Sequence, residues 1–386
     1  MHPACDPWRE GRAVRRVVVT GAKGFVGKHL CGALRQRKDL EIVEHDLGDP
    51  RSALEDALLT SDAVFHLAGV NRPERAEDFA TGNAGFTGEL LHLLETARKS
   101  PKVVLSSSVQ AEKDNAYGRS KHDAEEELRR YCESSGAEGV VHRLKNLFGK
   151  WSRPNYNSVV ATFCHNVAND LPIQISDPAN VVDLTYIDDV VVALLAELGS
   201  PARPGFRFAD SLPSHAVSLG ELATLLRSFR AHRTTLALPD YSTPFVRALW
   251  ATYLSHLPAH ACGYGLDIRA DDRGSLAEFI KSPHFGQIFV SRTKPGITRG
   301  NHYHHTKTEK FMVVQGEGII RLRQIHGDEV VEFKVRGEEY RVVDIPPGYT
   351  HSIENVGPDE MVTLFWSSEV FDARNPDTLF DPVVKR

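Results

Sequence analysis

The stretch from Val17 to Gly27, VVVTGAKGFVG, constrains the fold of this chain more than any other. Its short valine-rich run is typical of a buried parallel strand. Glycines at 21, 24 and 27 allow a tight turn, close approach of a phosphate and packing of a helix against the sheet. The next residues, KHLCGALRQR, have helical periodicity. Strand, glycine turn and helix together predict a dinucleotide-binding turn.

A second segment, TGNAGFTG from Thr81 to Gly88, has the same glycine spacing. It follows RPERAEDFA, which is too polar to form a buried strand. We therefore predict that only the first segment binds a dinucleotide.

Composition excludes several classes of protein. The 386 residues favour two domains, and 41% hydrophobic with 25% charged residues is ordinary for a globular protein. A net charge of -5 gives no basic excess, so we expect no nucleic-acid partner. The five cysteines are scattered and never spaced as CxxC, which argues against a disulfide framework or a thiolate zinc site and favours a reducing compartment.

The sequence predicts neither a membrane span nor a leader. No apolar run approaches the roughly 18 residues that a span requires, and MHPACDPWREGR lacks the apolar centre of a signal peptide. We expect a cytoplasmic protein with no membrane partner and a loose N-terminal extension.

The chain has two parts that differ in their pattern of predicted secondary structure. Strand-like and helical segments alternate from Ala13 to about Leu198, which predicts a Rossmann-like doubly wound parallel sheet. From Gly274 onward, short strands separated by glycine and proline predict an all-β barrel or sandwich. The segment 245–262 is predicted to be a short helix and connector. The fold class is therefore α/β plus all-β, with domains at 14–250 and 263–386.

Tyr117 and Lys121, in YGRSK, are four residues apart at the start of a predicted helix, so their side chains share one face. An ammonium beside a phenol stabilises phenolate, which suits Tyr117 to proton transfer. Tyr303 and Lys307 have the same spacing. Only the first pair follows a glycine turn and a strand that ends in serines, VVLSSS, and we favour it for that order.

These segments together resemble the extended short-chain dehydrogenase/reductases that act on nucleotide sugars. The shared pattern comprises TGAKGFVG, the HLAG of 66–69, Asn83, the serine strand end, YGRSK, RLKNLFG and YIDD. The resemblance implies that Tyr117 protonates a carbonyl while a nicotinamide delivers hydride, with Ser106 as the catalytic serine and Lys121 also holding the nicotinamide ribose. Ser107 and Ser108 leave the choice of serine open. Ser107, Arg143 and Asn146 are the implied substrate contacts.

The resemblance also implies a cofactor site of which Tyr117 and Lys121 are members, together with Gly21, Lys23, Gly24, Phe25, Val26, Gly27, Asp46, Leu67, Ala68 and Gly69. One departure affects the choice of cofactor, because 40–61 has room for little more than one strand and one helix. Asp46 could bind a ribose 2'-hydroxyl, which favours NAD, or could contact adenine. Arg35, Arg37 and Lys38 could bind a 2'-phosphate. The family resemblance favours NADPH.

The second domain carries a metal-binding pattern. Five residues reproduce G-x5-H-x-H-x4-E-x6-G and four reproduce P-x-G-x2-H-x3-N: Gly296, His302, His304, Glu309, Gly316, Pro346, Gly348, His351 and Asn355. This resembles both motifs of the cupin β-barrel, except for a glycine expected shortly before Pro346. Imidazoles and a carboxylate suit a divalent metal, and we predict zinc or another divalent ion at His302, His304, Glu309 and His351.

A second resemblance points to different chemistry. DDRGSLAEF and RGNHYH are similar to metal-free sugar 3,5-epimerases. In those enzymes the residue matching His302 is the base, and Lys310 matches a lysine near the enolate. Because His302 is unsuited to both roles, we favour it as a ligand and leave the base unassigned.

From residue 16 to 380 the chain resembles a family of bifunctional capsular polysaccharide synthesis enzymes, through segments that include NLFGKW, PNYNSV and KPGIT. This implies C3 epimerisation of a UDP-2-acetamido-2,6-dideoxy-hexos-4-ulose in the cupin, then reduction of C4 with NADPH, towards UDP-N-acetyl-L-fucosamine. It also implies a homodimer. Two alternatives are an NAD-dependent nucleotide-sugar 4-epimerase or dehydratase with a structural cupin, and a non-catalytic NADP-sensing module.

Overall fold

The computed structural model describes residues 15–385. The expected loose N-terminal extension lies outside the described residues, as does the first residue of the predicted 14–250 domain.

The chain divides into two compact units. The first extends to Thr224 and includes Ala251–His256, whereas the second comprises Leu225–Trp250 and the residues from Leu257. The domain limits predicted from the sequence assign residues 225–250 to the first domain, but their contacts group them with the second unit.

The first unit is built on a six-stranded sheet in which every paired neighbour is parallel, with the order β2-β1-β3-β4-β5-β8. Its strands are β1 (Arg15–Thr20), β2 (Leu40–His45), β3 (Ala63–His66), β4 (Lys102–Ser108), β5 (Glu138–Leu144) and β8 (Gly205–Phe208). A smaller sheet contains β6 (Asn146–Phe148), β7 (Val181–Tyr186) and β9 (His215–Ser218).

The helices follow the predicted alternation. They are α1 (Phe25–Leu34), α2 (Arg51–Leu59), α3 (Glu77–Ala80), α4 (Phe86–Thr96), α5 (Ala116–Ser135), α6 (Val159–Ala168), α7 (Ile187–Gly199), α8 (Leu219–Thr235) and α9 (Pro244–Ser255). None of the helices within residues 15–385 has both the length and the apolar character that crossing a bilayer requires.

The central strands are buried on both faces, as a doubly wound sheet requires. Val17 and Val19 pack in one apolar cluster with Leu30 of α1, and Val18 packs in another with Leu90 of α4. Successive side chains of a strand point to opposite faces, so a continuous valine run supplies both clusters. This confirms the Rossmann-like sheet.

Two local predictions are also resolved. The glycine-rich segment from Thr81 to Gly88 forms a π-helical turn, Thr81–Gly85, that continues into α4, so it is not a second dinucleotide-binding turn. The short region before β3 contains one strand, β2, and one helix, α2. Consequently β2 is the edge strand of the sheet.

The second unit contains two antiparallel sheets. The first has the order β10-β11-β12-β19-β14-β17 and the second β16-β15-β18-β13-β20. Their strands are β10 (Ile268–Asp271), β11 (Gly274–Ser282), β12 (Gly286–Thr293), β13 (Thr298–Tyr303), β14 (Glu309–Gln315), β15 (Glu317–Gln324), β16 (Val330–Arg336), β17 (Val342–Ile345), β18 (Tyr349–Asn355), β19 (Met361–Ser367) and β20 (Leu379–Phe380).

One apolar core joins these two sheets. Phe311 and Phe365 come from the first sheet and Ile320 and Ile353 from the second, and all four belong to the same buried cluster. The alternating inward side chains of antiparallel strands produce this core. The expectation of an all-β C-terminal half is confirmed.

Candidate functional site

The glycine turn after β1 brings the backbone of β1 against the segment that follows β3. Gly21 has φ +70°, and a Cβ there would lie 2.6 Å from the nitrogen of Ala68. The N–H of Gly24 donates to the carbonyl of Gly21 at 3.0 Å, and a Cβ at Gly27 would lie 2.1 Å from that same oxygen. A side chain at 21 or 27 would therefore open the turn.

A cleft of about 450 Å³ lies beside this turn. Strands β1, β2 and β3 run parallel, so their carboxyl ends meet at the edge where ligands bind in such sheets. The cleft is lined by several predicted cofactor residues, namely Gly21, Gly24, Asp46, Leu67, Ala68 and Gly69. Phe25 and Val26 open α1, which begins at the same turn.

Asp46 follows β2, and its carboxylate is held by backbone groups. It accepts hydrogen bonds from the N–H of Lys23 at 2.6 Å and of Leu47 at 2.8 Å. The carboxylate therefore ties the end of β2 to the glycine turn. Lys23 lies on that turn, and its ammonium contacts Asp49 at 3.5 Å.

Two of the three cations predicted for a 2'-phosphate lie elsewhere. Arg37 and Lys38 precede β2, at the amino edge of the sheet, because α1 runs antiparallel to the strands. Arg35 is ion-paired with Glu44. The basic residue that does line the cleft is Arg51 at the start of α2, which sequence reasoning missed. An arginine directly after the Asp-Pro that precedes a helix was the available signal.

Tyr117 and Lys121 lie one turn apart in α5, whose N-terminus is capped by Asn115 accepting from the N–H of Gly118 at 2.8 Å. Lys121 is only 7% exposed, and its ammonium donates to the carbonyl of Ser106 at 3.2 Å. Burial lowers the pKa of Lys121 to about 8, against the opposing charge of Glu125.

The pKa of the Tyr117 phenol is raised by burial, and a hydrogen bond with Ser108 only partly opposes this. Burial is the larger of the two causes, and Lys121 does not contribute to the pKa of Tyr117. Desolvation disfavours the anion more than the neighbouring groups favour it. The phenol is protonated at neutral pH, which is the state required of an acid.

Neighbouring serines at the end of β4 face opposite sides of the sheet. Ser106 and Ser108 share one face, and the hydroxyl of Ser106 lies 3.5 Å from the carbonyl of His66. Ser107 points the other way and donates to Glu125 at 2.5 Å. The serine side chain that interacts with Tyr117 is that of Ser108.

Arg143 lies beside Ser107 rather than in a ligand cleft. Its guanidinium donates twice to the buried carboxylate of Glu125, at 2.9 and 2.6 Å, and once to Glu112 at 2.6 Å. It also lies over the ring of Phe208, 4.3 Å from the centroid. These contacts join α5 to β5. The partner of both Arg143 and Ser107 is therefore the carboxylate of Glu125 within the protein.

Asn146 lines a second cleft of about 430 Å³. Other lining residues include Arg72 and the segment from Asn155 to Val159. Helix α6 begins at this segment, where the hydroxyl of Ser158 accepts from the N–H of Ala161 at 3.3 Å. Sequence reasoning missed Arg72 and Ser158. The Asn-Ser before an apolar run in PNYNSV was a usable helix-start signal.

Asn83, within the π-helical turn, connects the segment that follows β3 to helix α5. Its side chain exchanges two hydrogen bonds with the backbone of Val70, at 2.9 and 3.0 Å, and donates to Ser120 at 3.0 Å. A Cβ on Gly69 would lie 2.6 Å from the amide oxygen of Asn83 and 3.0 Å from the ammonium of Lys121. A side chain at position 69 would therefore displace the Asn83 amide and crowd the Lys121 ammonium.

In the second unit, His302, His304, Glu309 and His351 form one cluster. Each offers one ligand atom, and these atoms all lie within 4.8 Å of one another. His302 and His351 are directly paired across β13 and β18, while Glu309 begins β14 on the facing sheet. His351 is 0%, His304 2% and Glu309 9% exposed.

The electrostatics of this cluster suit a cation. Burial, reinforced by the two neighbouring histidines, lowers the pKa of His302 to about 4, which leaves a neutral imidazole. Burial would raise the pKa of Glu309, but His304 and His351 outweigh it and bring it to about 2. Burial alone would lower the pKa of His304, yet its contact with Glu309 raises it.

The Nε2 atoms of His304 and His351 point towards Glu309 Oε2 at 3.4 and 3.3 Å without completing a hydrogen bond. Buried polar atoms without partners are rare, and three imidazoles with one carboxylate are a common donor set for zinc. The residues present therefore fit a divalent metal.

The remaining candidates of the second unit lie outside this cluster. Lys310 alternates with Glu309 along β14, so it points to the opposite face, where it is ion-paired with Asp344. Tyr303 is in a strand, and Lys307 follows it in a turn, where its ammonium lies 3.3 Å from the carbonyl of Pro376. Neither lysine faces a catalytic tyrosine.

Comparison with known proteins agrees with this two-part architecture. Residues 17–205 match the NAD dependent epimerase/dehydratase family, and residues 269–379 match the polysaccharide biosynthesis C-terminal domain. The chain is 42% identical, over 94% of its own length and 97% of the relative's, to a Pseudomonas aeruginosa protein named UDP-2-acetamido-2,6-beta-L-arabino-hexul-4-ose reductase.

Solved structures give the same result. The capsular polysaccharide assembling protein CapF from Staphylococcus aureus superposes with a TM-score of 0.87 at 46% identity, over 95% of this chain and 99% of that chain. A UDP-glucuronic acid 4-epimerase from Bacillus cereus, in complex with NAD, matches 62% of this chain and 98% of its own length with a TM-score of 0.54 at 18% identity, a likeness of fold alone.

Proposed function

The chain belongs to the family of CapF-type capsular polysaccharide proteins, and from that premise we propose that it is a nucleotide-sugar reductase and 3-epimerase. Its substrate would be a UDP-2-acetamido-2,6-dideoxy-hexos-4-ulose, on the route to UDP-N-acetyl-L-fucosamine. The observation that carries the reductase half is the half-buried, protonated Tyr117, with Ser108 beside it and the buried Lys121 one turn further along α5.

In the reduction, Tyr117 donates its proton to the oxygen of the C4 ketone, and the C4 alcohol is the product. NADPH, when bound, supplies the hydride to C4. Ser108 orients the ketone by a second hydrogen bond to its oxygen. Lys121, whose buried ammonium is mostly charged at neutral pH, stabilises the phenolate that remains on Tyr117.

The preference for NADPH over NADH rests on the cleft. The Asp46 carboxylate already accepts two backbone hydrogen bonds. It is therefore less suited to bind a ribose 2'-hydroxyl, as NADH would require. Two basic side chains lie near that position, Arg51, which lines the cleft and is ion-paired with Glu55 and Glu89, and Lys23, which is ion-paired with Asp49. We expect NADPH to bind at least tenfold more tightly than NADH, and titration calorimetry giving the reverse order would return the ribose role to Asp46.

The UDP-sugar would occupy the cleft lined by Asn146 and Arg72. The N-terminus of α6 opens into this cleft and provides backbone N–H groups with the positive end of the helix dipole, which suits a diphosphate. The guanidinium of Arg72 adds positive charge at the same place.

The epimerase half rests on the histidine cluster. A 4-ketone acidifies the C3 proton, so a base with an electrostatic partner inverts C3, and later reduction of the ketone fixes the new configuration. His302, His304, Glu309 and His351 would hold the metal, zinc in our proposal, which when bound supplies Lewis-acid stabilisation of enolate charge. A homodimer remains part of this proposal.

The decisive experiment follows absorbance at 340 nm with NADPH and the UDP-4-keto sugar. Stoichiometric loss of absorbance, with one product alcohol formed per NADPH consumed, supports the reductase. Unchanged absorbance in the presence of bound cofactor and substrate would instead favour a redox-neutral 4-epimerase or dehydratase, or a sensing module.

A further inference from the structure

The C-terminal residues 376–383, which we call the C-terminal strap, lie along β13. Strand β20 within the strap pairs antiparallel with His302 and Tyr303. The pairing continues beyond β20, because the N–H of Asp381 donates to the carbonyl of Asn301 at 2.9 Å. The strap therefore covers the strand that carries the first histidine of the cluster.

Both ends of the strap are anchored. At one end, Arg323, only 1% exposed, donates to the carboxylate of Asp381 at 2.7 Å and to the carbonyls of Pro382 and Val383 at 3.0 and 2.9 Å. At the other end, the carboxylate of Asp377 accepts from three consecutive N–H groups, residues 305–307, at 2.9, 3.0 and 3.1 Å.

The Asp377 anchor fixes the turn that immediately follows His304. The three amides oppose the effect of burial and hold the pKa of the Asp377 carboxyl below its usual range, so the carboxylate is ionised at neutral pH. The hydroxyl of Thr306 adds a further hydrogen bond at 3.1 Å. Such a charge-assisted cluster is stronger than the same number of neutral hydrogen bonds.

The backbone carbonyl of the same residue contacts Nδ1 of His304. A carbonyl can only accept, so Nδ1 must carry a hydrogen. In a neutral His304, Nε2 is then the unprotonated nitrogen, and it is the atom that points towards Glu309 at 3.4 Å. One residue thus positions the turn with its side chain and the imidazole with its main chain.

We propose that Asp377 is a positioning residue for the metal centre, and that the C-terminal strap holds His304 ready to bind a divalent ion. This rests on the metal-binding half of the proposed function. Loss of the group that receives the second N–H of a metal-binding histidine typically costs 10- to 100-fold in metal affinity, and here the Asp377 side chain holds in place the backbone carbonyl that does so. No residue of the strap needs to contact the ion.

The test measures zinc affinity of the full-length protein by competition with a chromophoric chelator. We expect Asp377→Ala to raise the Kd about 10- to 100-fold. Asp377→Asn should lose less, because its amide oxygen still accepts and asparagine tolerates the φ of +35° at this position. The matched control is Asp372→Ala, whose carboxylate accepts from the N–H of Arg374 and not from the turn after His304. It should bind zinc as the unsubstituted chain does.

A second readout needs no metal. In the metal-free protein labelled with ¹⁵N-histidine, the Nδ1–H of His304 should be slow to exchange, and Asp377→Ala should accelerate that exchange at least tenfold. If the unsubstituted chain has this protected proton but binds no zinc, the metal-binding half of the proposed function is wrong, and Asp377 orients His304 without preparing a metal site. If Asp377→Ala binds zinc within threefold of the unsubstituted chain, or leaves the proton protected, the positioning role is overturned. If Asp377→Ala does not fold, the same two measurements on Asp377→Asn test the positioning role of Asp377.

Discussion

The side chain of Ser108 interacts with the phenol of Tyr117 and lowers its pKa, whereas the hydroxyl of Ser106, on the same face of β4, lies 3.5 Å from the backbone carbonyl of His66. The strand continues to Ser108 before the chain turns, and each step of two residues moves a side chain nearly 7 Å along it. Only the last serine therefore lies level with the start of α5.

This difference predicts unequal effects of two matched substitutions. Ser108→Ala removes one hydrogen bond to the ketone oxygen, and reduction should slow roughly 10²–10³-fold, as for the loss of one oxyanion donor. Ser106→Ala should keep the rate within about threefold. Steady-state NADPH oxidation measures both, and a larger loss in the Ser106 variant would restore the catalytic role to Ser106.

Tyr117→Phe keeps the ring contact with Phe79, whose centroid is 5.5 Å away, but removes the proton. The chemical step should slow by about 10²–10⁴, which is the usual contribution of a positioned acid. Binding of NADPH, followed by fluorescence or calorimetry, should be nearly unchanged. A variant that oxidises NADPH at a normal rate would show that another group supplies the proton.

The buried ammonium of Lys121 predicts a pH limit to reduction. Its pKa is lowered from the ordinary value for lysine to about 8, so the charge is present below pH 8 and is lost as the pH rises through it. The pKa of Tyr117 is raised by burial, so its proton remains over the same range. We expect kcat/KM to fall above pH 8, measured between pH 6 and 10.

The control is Lys121→Arg, because a guanidinium keeps its charge throughout this range. That variant should be slower overall yet show no decline near pH 8. A decline at the same pH in both proteins would mean that Lys121 is not the titrating group.

Two glycines of α1 offer a matched pair for stability. A Cβ at Gly27 would lie 2.1 Å from the carbonyl oxygen of Gly21, whereas a Cβ at Gly32 meets nothing within 4 Å. Gly27→Ala should destabilise the fold by more than about 2 kcal/mol and weaken NADPH binding, because rigid backbone must move. Gly32→Ala should stabilise by about 0.5–1 kcal/mol through helix propensity. Urea unfolding of both variants, with opposite signs of change, is the check.

Epimerisation should be separable from reduction in the full-length protein. Without NADPH, the C3 proton of the 4-keto sugar should exchange with deuterium from solvent, and Tyr117→Phe should exchange it at a normal rate. Replacing both His302 and His351 by alanine should remove tight metal binding and stop the exchange, while a substrate that already has the product C3 configuration is still reduced.

Mass spectrometry of the recovered sugar measures this exchange. Exchange at full rate in the metal-free double variant would exclude a metal-dependent epimerase. Exchange that stops only because the melting temperature of the second unit falls sharply would instead give the metal a structural role.

Sequence reasoning reached the fold because the decisive patterns are local. The valine run and its three glycines identify a strand, a turn and a helix within eleven residues, and backbone sterics fix that geometry. The spacing of His302 and His304, at the end of β13 and just beyond it, likewise placed both histidines in one cluster before any coordinates.

The roles of the side chains depended on neighbours distant in sequence. Arg143 matched a substrate-binding position, yet Glu125, on a different element, engages its guanidinium. Lys310 matched an enolate-binding lysine, but strand alternation directs it away from Glu309. The spacing of a motif identifies a candidate residue, but it does not show which side chain that residue contacts in the folded protein.

Local sequence thus determined the dinucleotide turn, the Tyr117 helix and the histidine pattern of the second unit, because each follows from the stereochemistry of a few consecutive residues. Tertiary structure alone decided that Ser108 meets Tyr117, that Arg51 lines the cofactor cleft and that Asp377 reaches across about seventy residues to His304. Those contacts form between elements brought together by burial of apolar surface, a long-range effect that no short pattern encodes.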